Sequence, residues 1–364
     1  MTAFLLLFSV GIAGYLVFEK FALPVPAILG PLFFVSLLNL SGFFPEVQLQ
    51  WISRYSNIVI GSYVGLRVNK QSLTLLRELP VPALVVSLSM LFLSLAGGSV
   101  LYMMSDLSMK TAFLGSTTGG IAEMALLSMS MGADVASVTL LQVFRMLSAI
   151  LATPLVCRKW TQWFGSGGTR RVSSSPSSHS VEAQFSDEEE AVALESSVAP
   201  SAKGYALLAV VSLIGGILGY VFRLPVGILT GAMLAVAATS LLRGELPPMP
   251  NILRTVAQIG IGIIIASNIT ISTLHQFAEL WLPVVALTAV LLVCSVLLAV
   301  LLHRMTGWDY PTCLLSSSLG GLSQMSIISE EMGADPLKVS ILQTIRLLSI
   351  LIVLPFLFSF LFGA

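Results

Sequence analysis

Charge is the first thing this sequence lacks. Only 10% of its 364 residues are Asp, Glu, Lys or Arg, where a soluble globular domain carries about 25%, so the water-facing surface of such a domain cannot be built from it. The 18 basic and 18 acidic residues cancel to a net charge of zero. The basic ones are scattered, which leaves no clustered face for direct nucleic-acid contact. Cysteine is scarce too: the three present, Cys157, Cys294 and Cys313, share no paired spacing, which argues against a disulfide framework or a metal knuckle. The histidines, His179, His275 and His303, stand apart with no carboxylate cluster at ligand spacing, so no metal site is expected. No nucleophile elbow, phosphate loop or dinucleotide fingerprint sits in a suitable context. Covalent catalysis is therefore not expected, and neither is a cofactor.

Apolar length is what the chain has instead. Hydrophobic residues make up 56% of it and the mean hydropathy is +0.94, which predicts an all-α polytopic membrane protein with the lipid bilayer as its main partner. The run Leu5–Phe18 has no basic leader and is followed by many similar runs, so it reads as the first span rather than a signal peptide. Further apolar segments cover Ala27–Phe44, Ile52–Val68, Val81–Met104, Thr111–Met131 and Val135–Val156. After a change in composition they resume at Tyr205–Phe222, Val226–Leu242, Val256–Ile271, Leu282–Leu302, Thr312–Met332 and Val339–Phe362. Residues 160–203 between them hold a serine run from Ser173 to Ser178, broken by Pro176, and the acidic run Asp187 to Glu190. That stretch reads as a disordered linker, because it has too little apolar area to bury.

The two halves are copies. Gly119-Gly120-Ile121-Ala122-Glu123-Met124 and Met131-Gly132-Ala133-Asp134 return as Gly320-Gly321-Leu322-Ser323-Gln324-Met325 and Met332-Gly333-Ala334-Asp335. The offset of 201 residues, from 119 to 320, also carries Gln142 onto Gln343, Arg145 onto Arg346, Pro154 onto Pro355, Gly61 onto Gly262 and Pro82 onto Pro283. A repeat of this length is a whole subdomain, giving a first membrane repeat over 1–159 and a second over 204–364.

Charge placement predicts how the copies face. The positive-inside rule puts Arg67, Lys70 and Arg77 on the same side as Arg158, Lys159, Arg170 and Arg171. Three apolar runs lie between, so one of them must fail to cross simply, and the run broken by Gly119-Gly120 is the candidate. Each repeat then has about five transmembrane helices, an odd number, and the second is inverted. Arg243, Arg254, His303, Arg304 and Lys338 fall on the cytoplasmic face, with Arg54, Lys110 and Arg223 outside. Six full spans per half would instead give parallel repeats.

Inverted repeats with glycine-broken helices are a transporter signature, since half-helix termini present backbone groups to a substrate or ion. Close helix packing through small residues is the plainer reading of both glycine pairs. Glu123 and Arg145 are ionisable groups within membrane segments, costly enough to be site candidates, and each is the other's expected partner, either as a structural pair or within a site. Gln324 replaces Glu123 in the second copy, so two arginines face one acid; an anionic substrate, or Glu330 or Glu331, would balance the remainder. Gln142 and Gln343 lie three residues before their arginines, on the same helical face. Asp134 and Asp335 read as helix N-caps, and the methionines Met124, Met129, Met131, Met325 and Met332 as packing.

At these motifs the chain resembles the membrane AbrB family. The resemblance rests on Gly119, Gly120, Glu123, Met124, Gly132, Ala133, Asp134, Gln142 and Arg145, and on Gly320, Gly321, Met325, Gly333, Ala334, Asp335, Gln343 and Arg346; Gln324 departs from the acid of the pattern. It implies a duplicated domain in the bacterial inner (plasma) membrane, distantly similar to cation/proton antiporter and bile-acid symporter folds. Members carry labels as regulators of gene expression or as ammonia monooxygenase-like proteins. The expectation is thus a secondary transporter of a small, anionic or other solute. The candidate substrate- or ion-binding residues are Gly119, Gly120, Glu123, Gln142, Arg145, Gly320, Gly321, Gln324, Gln343 and Arg346. A membrane-bound regulator acting through a partner and, third, an oxygenase stand as alternatives, and homo-oligomerisation is left open.

Overall fold

The computed structural model describes residues 2–21, 23, 25–41, 49–68, 79–164, 202–224, 226–244, 246–271, 273, 280–321, 325, 328–330 and 332–362. Among them are thirteen α-helices and no strand. The first repeat holds α1 (Thr2–Lys20), α2 (Pro26–Leu40), α3 (Gln50–Leu66), α4 (Pro80–Met104), α5 (Met109–Ser116), α6 (Ile121–Met131) and α7 (Val135–Phe164). The second holds α8 (Ala202–Val221), α9 (Gly227–Arg243), α10 (Asn251–Ser267), α11 (Trp281–Thr306), α12 (Tyr310–Ser317) and α13 (Pro336–Phe362). Of the stretch read as a linker, residues 160–164 and 202–203 form helix ends, and 165–201 lie outside the described residues.

The helix starts coincide in the two copies, though the residues that set them differ. Pro80 opens α4, and Pro26 and Pro336 open α2 and α13, where the missing N–H is not needed. Ser108 caps α5 by accepting from the Thr111 amide at 3.2 Å, and Asp309 caps α12 by accepting from Thr312 at 2.9 Å. The 201-residue offset maps the first residues of α2, α3, α4, α5 and α7 onto those of α9, α10, α11, α12 and α13.

Five helices, α4, α7, α8, α11 and α13, include stretches long and apolar enough to cross a membrane. Their outer faces carry large apolar side chains in the open, Phe92, Leu151, Ile217, Leu297 and Phe360 among them, which water would not tolerate over so wide a band.

The described helices fall into two groups, and both copies contribute to each. In one, α1, α2, α10, α3, α9 and α8 pack in that order. Small residues let backbones meet: a methyl on Gly61 would lie 2.4 Å from the Leu229 carbonyl oxygen, and on Gly262 2.6 Å from that of Ile28. These are the same contact seen from either copy, since 28 and 229 also differ by 201. On α3 and α10, Ile52 meets Gly260, Ser56 meets Ala257 and Tyr63 meets Arg254, so these equivalent helices run antiparallel. The other group contains α4 to α7 and α11 to α13, with a core of Val86, Met90, Leu291, Leu298 and Leu342 between its two halves.

The segment 111–131 is broken as expected. Helix α5 stops at Ser116, the chain is extended at Thr117 and Gly120, and α6 begins at Ile121. Nearly all of α6 is buried, against α3, α5, α7 and α10. Interrupted backbone inside an apolar structure is tolerated only when protein covers it in this way.

Candidate functional site

The break leaves the last carbonyls of α5 without helical partners, and α7 supplies them. Gln142 Nε2 donates to Leu114 O at 3.0 Å and Thr117 O at 2.9 Å. One turn on, Arg145 donates to Thr117 O and, at 3.1 Å, to Gly119 O. The second copy repeats the arrangement: Gln343 donates to Leu315 O at 2.8 Å, and Arg346 to Ser318 O and Gly320 O. Each guanidinium therefore sits at the negative end of a half-helix.

This corrects the expected pairing of Arg145 with Glu123. Neither arginine has a carboxylate partner among the described residues, Glu330 included. Backbone dipoles solvate both charges, and the two guanidiniums are near enough for Arg346 to act electrostatically on Arg145. The hydroxyls before the glycines are used for fastening too, with Ser116 Oγ donating to Ser94 O at 2.7 Å and Ser317 Oγ to Ser295 O at 3.0 Å.

Each glycine of the pair has its own occupant. A methyl on Gly119 would meet Met124 Cε at 2.4 Å, and one on Gly320 would meet Met325 Cε at 2.2 Å. A methyl on Gly120 would lie 2.1 Å from Glu123 Oε2. The Gly-Gly-x-x-Glu-Met phrase is thus a seat in which the methionine packs on the first glycine and the carboxylate folds over the second.

Between the two broken segments lies a cavity of about 110 Å³, room for several waters or one small anion. Gly119, Gly120, Glu123, Gly320, Gly321, Gln343 and Arg346 line it, while Gln142 and Arg145 hold its wall from behind. Gln324 lies outside the described residues. Asp134 and Asp335 stand at the starts of α7 and α13, where Asp134 accepts from the Ala136 amide at 3.0 Å and Asp335 from the Lys338 amide at 3.2 Å.

Four polar residues at the cavity were not picked out from the sequence: Tyr63, Arg67, Arg254 and Gln258. Both guanidiniums lie over the Tyr63 ring, each 4.6 Å from its centroid. Arg254 is buried in the first turns of α10. Arg67 and Arg254, counted above as loop charges that set topology, are thus cavity residues. The available signal was spacing, since Tyr63 with Arg67 and Arg254 with Gln258 each form an i, i+4 pair on one helical face.

The sequence profile of the AbrB family, described as transition state regulatory protein AbrB, matches residues 1–161 and again 163–362. The chain belongs to the AbrB family. Its two matches give the family domain once per repeat, the same division that the helices show. Among AbrB-like relatives, the putative regulator AbrB of Escherichia coli (strain K12) is 26% identical over 340 residues, covering 92% of this chain and 89% of the relative. The uncharacterized protein YhjN of Bacillus subtilis (strain 168) is 22% identical over 317 residues, covering 85% and 78% respectively.

Proposed function

We propose that this AbrB-family chain is a multi-pass protein of the bacterial inner membrane that moves a small anionic solute by alternating access, coupled to a proton or cation, with no covalent chemistry. The observation carrying the reading is the cavity where two interrupted helices meet, lined by Arg67, Arg254 and Arg346, by one carboxylate, Glu123, and by the first turn of α6. Backbone amides at a helix start and guanidinium groups are both anion ligands. The antiparallel run of α3 against α10 supports inverted copies, since a two-fold axis that reverses equivalent helices lies across them. Such a pair of copies can exchange conformations and so present one site to either side in turn.

Counterflow tests it. Proteoliposomes loaded with unlabelled methanesulfonate or pyruvate are diluted into the labelled anion, and transient accumulation is expected with the wild-type protein and not with Arg346→Gln. Empty-liposome levels for both anions would count against the reading.

A further inference from the structure

We propose that Glu123 occupies the anion-receiving start of its own half-helix, and that a proton must neutralise it before a small oxyanion, a carboxylate or sulfonate, takes that place. The inference rests on the anion-transport reading and adds the coupling: proton and anion bind together, one of each. Helix α6 has 11 residues, its N-cap Gly120 offers no side chain, and Glu123 is the one acid of its first turn. The carboxylate folds back over Gly120, where an added methyl would lie 2.1 Å from its Oε2. It is 8% exposed and has no hydrogen-bond or ion-pair partner among the described residues, so what it answers is the field of the helix start and of the cavity.

A second, independent group borders the same space. Arg346 is 5% exposed and lines the cavity; its Nη atoms donate to Ser318 O, Gly320 O and Gln343 Oε1, and its buried Nε has no partner among the described residues. The charged and titratable groups facing α6 from its neighbours are Arg145 on α7, Arg254 on α10, Arg67 and Tyr63 on α3 and Arg346 on α13. Lys110 on α5 contacts the opposite end, donating to Met131 O at 3.2 Å. Apart from the phenol these are cations, which makes Glu123 the one carboxylate among the described lining residues. An incoming anion meets the cations Arg67, Arg254 and Arg346 on the described lining and repulsion from Glu123, which proton uptake there removes. The proton adds to Glu123 Oε and leaves from it again when the anion departs; no bond of the substrate changes. In the second copy the register places Gln324, which takes no proton, so one coupled proton per anion follows.

The test is calorimetric binding of methanesulfonate to the purified full chain between about pH 5 and 8, because this anion stays ionised throughout and any pH dependence belongs to the protein. Wild-type affinity is expected to rise by up to about tenfold per unit of acidification, as one linked proton requires, with proton uptake visible as a heat that varies with buffer ionisation enthalpy. Glu123→Gln should bind with the acid-side affinity at every pH and take up no proton, and Glu123→Asp should restore the linkage. Binding by the wild type that ignores pH, or a wild-type pH slope retained in Glu123→Gln, overturns the inference while leaving anion transport standing. No binding by either protein at any pH, with both monodisperse, overturns both.

Discussion

Ser56 on α3 donates its hydroxyl to the backbone carbonyl of Ala257 on α10 at 3.0 Å, and Ala257 is the residue that stands in the place of Ser56 in the other copy. The contact joins equivalent positions of the two repeats. From there the equivalent helices diverge in opposite directions, with Ile52 against Gly260 and Tyr63 beside Arg254.

That geometry predicts a disulfide. A Cβ on Gly260 lies 4.0 Å from Ile52 Cβ, inside the range of about 3.5–4.5 Å that a disulfide spans. With Cys157, Cys294 and Cys313 replaced by serine, Ile52→Cys with Gly260→Cys should cross-link on mild oxidation, read as a mobility shift after specific cleavage of the linker. The pair Ile52→Cys with Leu253→Cys, which parallel copies would bring together, should not.

Gly61 and Gly262 should tolerate no side chain. The atom a methyl would strike is a backbone carbonyl oxygen, at 2.4 Å and 2.6 Å respectively, and backbone yields less readily than a side chain. Alanine at either site should destabilise by about 1–3 kcal/mol, the usual cost of overpacking, with the two effects similar in size because the contacts are copies. Thermal unfolding in detergent measures both.

Gln142→Leu removes the donor from Leu114 O and Thr117 O inside the protein. Thr117 O keeps Arg145, but the Leu114 carbonyl loses its donor, and a buried unpaired acceptor costs about 1–3 kcal/mol. A lowered unfolding midpoint is expected, together with weaker anion binding, since the wall holding Gly119 loosens. Gln343→Leu should cost less, because Leu315 O keeps a second donor in Ser318 Oγ at 2.9 Å.

Asp335 ties the start of α13 to Lys338, 2.7 Å from Oδ2. Burial acts to raise its carboxyl, but the hydrogen bonds and charge of Lys338 prevail and hold it below its ordinary value of 3.8. A carboxylate depressed in the folded state contributes stability that is complete above its unfolded value and is lost as pH falls through the folded one. Lys338→Met should therefore raise the Asp335 titration midpoint toward the ordinary value, seen by infrared or NMR titration, and narrow the acid tolerance of the fold.

Much of this was legible in the residues. The repeat offset, the break at Gly119-Gly120 and the six apolar segments of each half follow from spacing and from glycine's effect on a helix. The pairing of Arg145 was not, because sequence shows charges and hides carbonyls: the break that the glycines announce also frees carbonyl oxygens, and these take the guanidinium that Glu123 was expected to hold. Arg254 was misplaced for a related reason. It lies just ahead of an apolar run, where hydropathy places a loop, but the helix starts earlier at Asn251 and turns the side chain inward. The interleaving of α2 with α10 and of α9 with α3 depends on contacts about 200 residues apart, which no local pattern encodes.

The central claim is that one cavity is reached in turn from both sides. Gln258 lines it, so a chain carrying Gln258→Cys as its single cysteine, in vesicles of each orientation, reports access to a membrane-impermeant thiol reagent. Labelling from both sides, slowed by methanesulfonate, is the predicted result. Labelling from one side alone, unaffected by the anion, would contradict the account.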